Sequence, residues 1–357
     1  MRDGAKYLML FEQLKREIVQ GTYRGGDRIP GENELAEQYG MSRQTVRQAL
    51  SMLEREQYIE RRQGSGTYVR ESTRGRKRTW NVGVIATYIS EYIFPSILRG
   101  IERELSDSGF FPLLSATQNR VDNERKILED YMEKEIDGLI VEGTKSALPN
   151  PNIGLYEKIE SMGIPVVFFN GCYPALPDCV SVTTDDRQGG LDAVQYLVTH
   201  GHKKIGAIFK GDDRQGLERY AGYMQGLIDS GLPMQDDWVV WFHSEDRNLL
   251  LDDENETRRV LRAFRECSAV VCYNDEIAVK LLNAFRRDGL EIPGEKAIIS
   301  FDNSLLSEVS TVKITSLDHP REHLGAAAAR KLLAMMEGKK EKSLVLSFGG
   351  IVEKDSV

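Results

Sequence analysis

The chain has 357 residues, 41% of them hydrophobic and 29% charged, with a formal net charge of −8. That length exceeds one small domain and predicts two or three compact units. No apolar stretch reads as a secretion signal or membrane span, so the protein is expected in the cytoplasm. The charge is uneven: the first 80 residues hold 16 Lys and Arg against 11 Asp and Glu, and the remainder 31 against 44. A basic front of this kind can neutralise phosphates while an acidic body repels them.

Leu8 to Val19 is an amphipathic run interrupted by Glu12, Lys15, Arg16 and Glu17. Glu32 to Tyr39 has its apolar members at Leu35, Ala36 and Tyr39 and ends at Gly40, which supplies a helix stop. Ser42 can cap the next helix. There Val46, Ala49, Leu50 and Leu53 repeat at the spacing of a buried face, leaving Arg43, Gln44 and Arg47 on the face that does not pack. Arg43 and Arg47, four apart, share that face and can enter the DNA major groove together, reading guanine edges bidentately. Alone, such a pair is more often a solvated surface. Here it is followed by short strands at Tyr58 to Arg62 and Thr67 to Val69, with Gly64-Ser65-Gly66 as a turn whose bare backbone can approach a sugar-phosphate surface. The order predicts a helix-turn-helix with a β-hairpin wing.

From Tyr7 to Val69 the sequence resembles the winged-helix domain of GntR-family bacterial repressors, through Gly26-Asp27-Arg28-Ile29-Pro30, Glu32-Asn33-Glu34-Leu35-Ala36, Ser42 to Leu50 and Gly64 to Val69. The resemblance implies DNA contacts from Arg28, Asn33, Ser42, Arg43, Gln44, Thr45 and Arg47, with Gln63, Gly64, Ser65 and Gly66 at the wing along the minor groove. Gly31 stands where the family usually has a capping Ser or Thr, which weakens that helix start. Asn33 stands where some relatives carry a third base-reading Arg.

Residues 71–79 are polar, basic and without periodicity, and form the expected linker, either a plain tether or one that also tracks phosphates. The four cysteines, Cys172, Cys179, Cys267 and Cys272, lack a CxxC spacing and are expected as reduced thiols. The five histidines show no metal spacing beyond His200-Gly201-His202, and neither a metal nor a cofactor is expected.

From Trp80 onward apolar strands alternate with amphipathic helices. Strands are predicted at 81–85, 138–141, 165–169, 205–209, 269–273 and 297–301, with helices at 97–108, 123–134, 189–200, 215–229 and 276–288. Continuous apolar strands with helical crossovers indicate parallel sheets covered on both faces. Ligands in such folds bind beyond the carboxyl ends of the strands, which points to residues 88–94, 142–145, 170, 210–215, 274–275 and 302–303. These segments interleave hydrogen-bonding groups with aromatics, the combination a sugar needs for its hydroxyls and its C–H face. Two members have plainer readings. Arg219 can pair near Glu218, and Asn274-Asp275 can cap the helix beginning at Glu276.

The body resembles the effector domain of LacI/GalR-type regulators, itself similar to periplasmic sugar-binding proteins, through Asn81 to Ile85, Ile136 to Ile140, Gly201 to Ile205, Arg219 to Tyr223, Cys272 to Ala278 and Phe301-Asp302. The full fold expectation is therefore α/β, an N-terminal winged helix-turn-helix on 1–70 and a two-lobed periplasmic-binding-protein-like domain on 80–357. Lobe 1 is expected at about 80–180 and 319–340, and lobe 2 at about 181–318 and 341–357. Crossovers are expected near Val180–Asp185, Ser316–Pro320 and Gly338–Ser343. Segments 87–102, 141–148, 209–216 and 316–320 resemble GntR-headed sugar regulators that respond to L-arabinose. That resemblance implies effector contacts from Tyr92, Phe94, Glu142, Lys145, Asn170, Asp185, Lys210, Gln215, Arg219, Asn274, Asp302 and His319, and a homodimeric repressor released from operator DNA by L-arabinose. Another pentose, a hexose, a nucleoside or a co-repressor remains open as effector. An enzyme would need a nucleophile–base set or cofactor loop that is not seen, and a transport protein would not carry residues 1–70.

Overall fold

The computed structural model describes residues 3–19, 22–23, 25–56, 58–62, 65–69, 78–90 and 92–357. The wing-tip residues Gln63 and Gly64 and most of the expected linker, 71–77, lie outside the described residues. The chain divides into two units, Met1–Arg78 and Thr79–Val357.

In the first unit, α1 (Asp3–Val19) packs Leu10, Phe11, Leu14 and Ile18 against the buried stripe of α3 (Arg43–Arg55), which is Val46, Ala49, Leu50 and Leu53. Between them lie β1 (Arg28–Ile29) and α2 (Glu32–Gln38). β2 (Ile59–Arg62) and β3 (Gly66–Val69) form the antiparallel wing, and β1 adds itself to β3. Ser42 caps α3 as expected, its Oγ accepting from the Thr45 amide at 3.2 Å. The start of α2 keeps the half of a capping box that needs no Ser or Thr hydroxyl: Glu34 accepts the Gly31 N–H at 2.7 Å.

The second unit holds two sheets. The first is built from β4 (Asn81–Ala86), β5 (Phe111–Ala116), β6 (Gly138–Glu142), β7 (Val166–Phe169), β8 (Val180–Thr184) and β14 (Leu344–Leu346), in the order β14-β8-β7-β6-β4-β5, with parallel pairing throughout. It is flanked by α4 (Phe94–Asp107), α5 (Val121–Glu133), α6 (Ile153–Ser161) and α12 (Arg321–Met336). The second sheet contains β9 (Ile205–Lys210), β10 (Val239–Phe242), β11 (Ala269–Cys272), β12 (Ala297–Asp302), β13 (Thr315–Asp318) and β15 (Ile351–Val352), ordered β10-β9-β11-β12-β13-β15, with β15 antiparallel. Around it lie α7 (Asp186–Thr199), α8 (Arg214–Asp229), α9 (Glu254–Ala263), α10 (Asp275–Arg287) and α11 (Leu305–Val309). Central strands such as β6, β7, β11 and β12 are buried along their whole length, which is why they read as continuous apolar runs.

The chain crosses between the lobes after Thr184, after Asp318 and after Leu346. The first two crossings fall within the expected Val180–Asp185 and Ser316–Pro320, whereas the third lies beyond Gly338–Ser343, because β14 pairs with β8 (Leu344↔Val182) and β8 with β7 (Val167↔Val180), so both belong to the first lobe. Beside the crossovers the helices approach closely. A Cβ added at Gly190 or Gly222 would run into the backbone of the partner helix, α8 or α7. The cysteine expectation is corrected for one pair. Cys172 and Cys179 are joined as a disulfide, because the loop after β7 turns back through Leu176 N–H to Tyr173 O and Cys179 N–H to Leu176 O. Cys267 and Cys272 are free and buried.

Candidate effector cleft and DNA-reading face

A cavity lies between the two lobes at the carboxyl ends of both sheets, as the strand rule anticipates. The first lobe lines it with Thr87, Tyr88, Tyr92, Phe94, Asn119, Glu142 and Asn170, and the second with Lys210, Asp213, Gln215, Arg219, Arg247, Tyr273, Asn274, Glu276 and Asp302. Of the residues singled out in the sequence, Tyr92, Phe94, Glu142, Asn170, Lys210, Gln215, Arg219, Asn274 and Asp302 meet here.

Glu142, at the end of β6, is buried. Its carboxylate accepts from the Thr87 amide (2.7 Å), the Thr87 hydroxyl (2.5 Å) and Asn170 Nδ2 (2.8 Å). Burial pushes its carboxyl up from the usual range, and the Thr87 and Asn170 bonds work against that. Asn170 spends its amide hydrogen on Glu142, and its Oδ1 is buried without a partner. Opposite, Arg219 is buried and donates Nε to Asp186 at 2.8 Å, with its Nη2 at 3.6 Å from Asp302 Oδ1. Its plane lies over Phe301 at 4.3 Å. The pairing near Glu218 is taken by Arg214 instead. Lys210 faces Asp213 at 3.2 Å and Asp212 at 3.5 Å, and Tyr273 donates its hydroxyl to Asp213 at 2.6 Å. Asn274 does both things read from its sequence: it lines the cavity, and its Oδ1 caps α10 by accepting from the Ile277 amide.

Tyr92, Asn170 and Asp302 have positive φ of 57°, 60° and 98°. Such strain in side-chain-bearing residues collects where a structure must hold a group in one place. Tyr92 donates to Asp302 Oδ2 at 2.7 Å and accepts from the Asp275 amide at 3.0 Å, joining the lobes across the cavity.

Three expected contacts are not brought to the cavity wall. Lys145 turns its ammonium to Glu245 at the rim. Asp185 caps α7 through the Gln188 amide at 3.0 Å. His319 is 2% exposed behind the wall, packed against Phe348, with neither ring nitrogen bonded. Conversely, Arg247 was not anticipated. It comes from the turn after β10, pairs with Glu276 at 2.7 Å and stacks over Tyr88 at 4.8 Å.

On the head, Arg43, Gln44 and Arg47 are exposed on α3, and Asn33 is exposed on α2. Arg47 is held by Glu32 through Nε at 3.1 Å and Nη2 at 2.8 Å. Thr45 departs from the expectation of a DNA contact: it is 4% exposed, and its hydroxyl is 2.8 Å from Ser42 Oγ. Arg28 lies against Gly66, and Ser65 Oγ is 2.8 Å from the Tyr68 hydroxyl.

Fold and cleft together define a one-component regulator, with a DNA-binding head of the GntR type on a LacI-type, periplasmic-binding-protein-like sensor body. Residues 6–69 match the bacterial regulatory proteins of the gntR family, and residues 194–357 match the periplasmic binding protein-like domain. The chain is 36% identical over 345 residues to the arabinose metabolism transcriptional repressor of Halalkalibacterium halodurans, covering 94% of this chain and 90% of that one. With the arabinose metabolism transcriptional repressor of Geobacillus stearothermophilus it shares 37% over 335 residues, covering 93% and 91%. The solved structure of transcription regulator CcpA of Lactococcus lactis superposes with a TM-score of 0.68 at 26% identity, over 79% of this chain and 99% of that one. The chain belongs to the family of these GntR-headed repressors: it is a DNA-binding transcriptional repressor and not an enzyme.

Proposed function

We propose that the protein represses transcription from operator DNA as a homodimer and is released when L-arabinose closes the two lobes. The observation that carries this reading is the balance of charge in the cleft. Lys210, Arg219 and Arg247 each already face a carboxylate, while the buried Asn170 Oδ1 has no hydrogen-bond donor and Asp302 Oδ1 has only the Arg219 guanidinium at 3.6 Å, beyond hydrogen-bond reach. Among the described residues such a cavity has no cation to spare for a phosphate or a carboxylic acid, and it has acceptors waiting for hydroxyl donors. A neutral polyol fits it, and the relatives named for arabinose metabolism support L-arabinose among the polyols.

Exposed Arg43, Gln44 and Arg47 on α3 and the wing behind them supply the DNA-reading side. Large apolar side chains exposed on the edge strand β5 (Phe111, Leu114) and on α11 (Leu305, Val309) support self-association. In a dimer, lobe closure alters the spacing of the two heads, so that they no longer match both half-sites. An operator gel-shift titrated with L-arabinose and a panel of other pentoses and hexoses tests this. Release by L-arabinose alone is expected. Release by a different sugar overturns the effector, and tighter operator binding with L-arabinose overturns the sign.

A further inference from the structure

Lys145 was expected to touch the ligand, yet the structure spends it elsewhere. It sits in the loop after β6, with left-handed backbone (φ 47°), and its ammonium meets the carboxylate of Glu245 from the other lobe. Its own amide donates to Asn119 Oδ1 at 2.8 Å, and Asn119 Nδ2 in turn donates to Ser244 Oγ at 2.5 Å, again across the lobes. Asn119 is 2% exposed and lines the cavity, so this chain of contacts begins at the ligand space and ends in solvent. We propose that Lys145 and Glu245, braced by Asn119 and Ser244, form a latch at the mouth of the cleft that sets how long a bound sugar stays.

The physical argument is one of differential contact. The Lys145–Glu245 and Asn119–Ser244 pairs each join one lobe to the other, so they exist only when the lobes are closed and can favour only that state. Two backbone amides beside them report the same closure: Ala147 N–H donates to Asp212 O at 3.4 Å, and Arg214 N–H to Ser146 Oγ at 3.1 Å. A ligand enters through open lobes and leaves only when they reopen. A contact made only after closure therefore slows dissociation and cannot speed association. The Lys145 and Glu245 side chains are 23% and 66% exposed, so the pair is wet, modest in strength and screened by salt. This inference rests on the sugar-site reading of the cleft.

The test uses the full chain with three variants, Lys145→Ala, Glu245→Gln and the exchange Lys145→Glu with Glu245→Lys, and L-arabinose as probe in stopped-flow dissociation. Each single change is expected to speed dissociation about two- to fivefold, as for a partly exposed ion pair, with association not slowed. The exchange should recover most of the native rate. Added salt should speed dissociation in the native chain and not in the single variants. Unchanged dissociation overturns the latch, as does a loss that the charge exchange fails to recover, which would put Lys145 on the sugar itself. Amide hydrogen exchange at Ala147 and Arg214 in the ligand-free chain supplies a readout independent of the sugar: it should be faster in both single variants, and equal rates overturn the latch. If the native chain shows no response to L-arabinose, the effector assignment fails, and amide exchange alone then decides the latch.

Discussion

The Tyr92 phenol in one lobe donates to Asp302 Oδ2 in the other at 2.7 Å, and both residues hold left-handed backbone to make that bond. The Tyr92 hydroxyl oxygen also accepts the Asp275 amide, so a single hydroxyl ties the start of α4 to the ends of β11 and β12. Burial pushes the phenol's pKa well up, and the nearby Asp275 and Asp302 carboxylates add to that, so it remains a donor at neutral pH.

Tyr92→Phe keeps the ring and removes the bond, leaving the Asp275 amide without its acceptor in the closed form. L-Arabinose binding is expected to weaken about tenfold or more, since a hydrogen bond to a charged partner is lost and a buried donor is stranded. Calorimetric titration of the full chain measures this. Native-like affinity would show that the bound state does not use the bond.

Removing Arg219 should harm the fold before it harms binding. Arg219→Leu would leave Asp186 and Asp302 buried with no cation between them, and loss of one member of a buried ion cluster costs about 3–5 kcal/mol. Urea unfolding of the full chain should show the transition of the body moved to lower denaturant, with that of the head unmoved.

Acidity acts on the body through opposing groups. Burial pushes the His319 imidazole down from 6.5 to about 4, so the folded chain holds it neutral while the unfolded chain protonates it. Between those values stability is lost as pH falls. Burial pushes the carboxyls of Asp186 and Asp275 up from 3.8 to about 6, which adds stability over nearly the same fall. His319→Phe removes only the first effect. Relative to the native chain, the variant should gain about 2 kcal/mol between roughly pH 7 and pH 5. Urea unfolding at several pH values checks it, and a difference that does not vary with pH would mean that His319 titrates alike in both states.

On the head, the Glu32 fork presents Arg47 in one orientation before any DNA arrives. The Arg47 guanidinium draws the Glu32 carboxyl below its usual range. Glu32→Ala would remove a negative charge from the DNA-facing side and also free Arg47 to wander. Pre-organisation should win over charge relief, so operator affinity should fall relative to random DNA. Arg47→Ala should cost about tenfold or more in discrimination at one base pair. Gel shifts against single-base operator variants decide the second point, because a uniform loss over all sequences would mean that Arg47 holds only a phosphate.

The sequence made the inner strands legible, since β4, β6, β7, β9, β11 and β12 are covered on both faces and so read as apolar runs. The rim strands are not legible in this way, and neither are β8 and β13, each one place in from an edge. β5 is partly exposed and contains Pro112, β10 alternates, and β14 and β15 span three and two residues. That omission carried into the site: Arg247 follows β10, and without the strand the rule for post-strand residues had nowhere to look. Lys145 and His319 failed for another reason. Lys145 lies between the wall residues Gly143 and Ser146 and His319 directly follows β13, but position along the chain does not say whether a side chain points at the cavity, the rim or the layer behind.

The three crossings have a consequence for heredity. No continuous stretch of chain encodes either lobe: β14 returns to the first sheet after α12, β15 then joins the second, and Ser356 is bonded inside it to Ile298 and Thr315. A recombination breakpoint anywhere between β4 and β14 would divide the first sheet, and one between β9 and β14 would divide both, whereas one near residue 78 divides neither. Shuffling of heads among such bodies is therefore expected to occur at that junction, and new sensing specificities to arise within the body by point substitution.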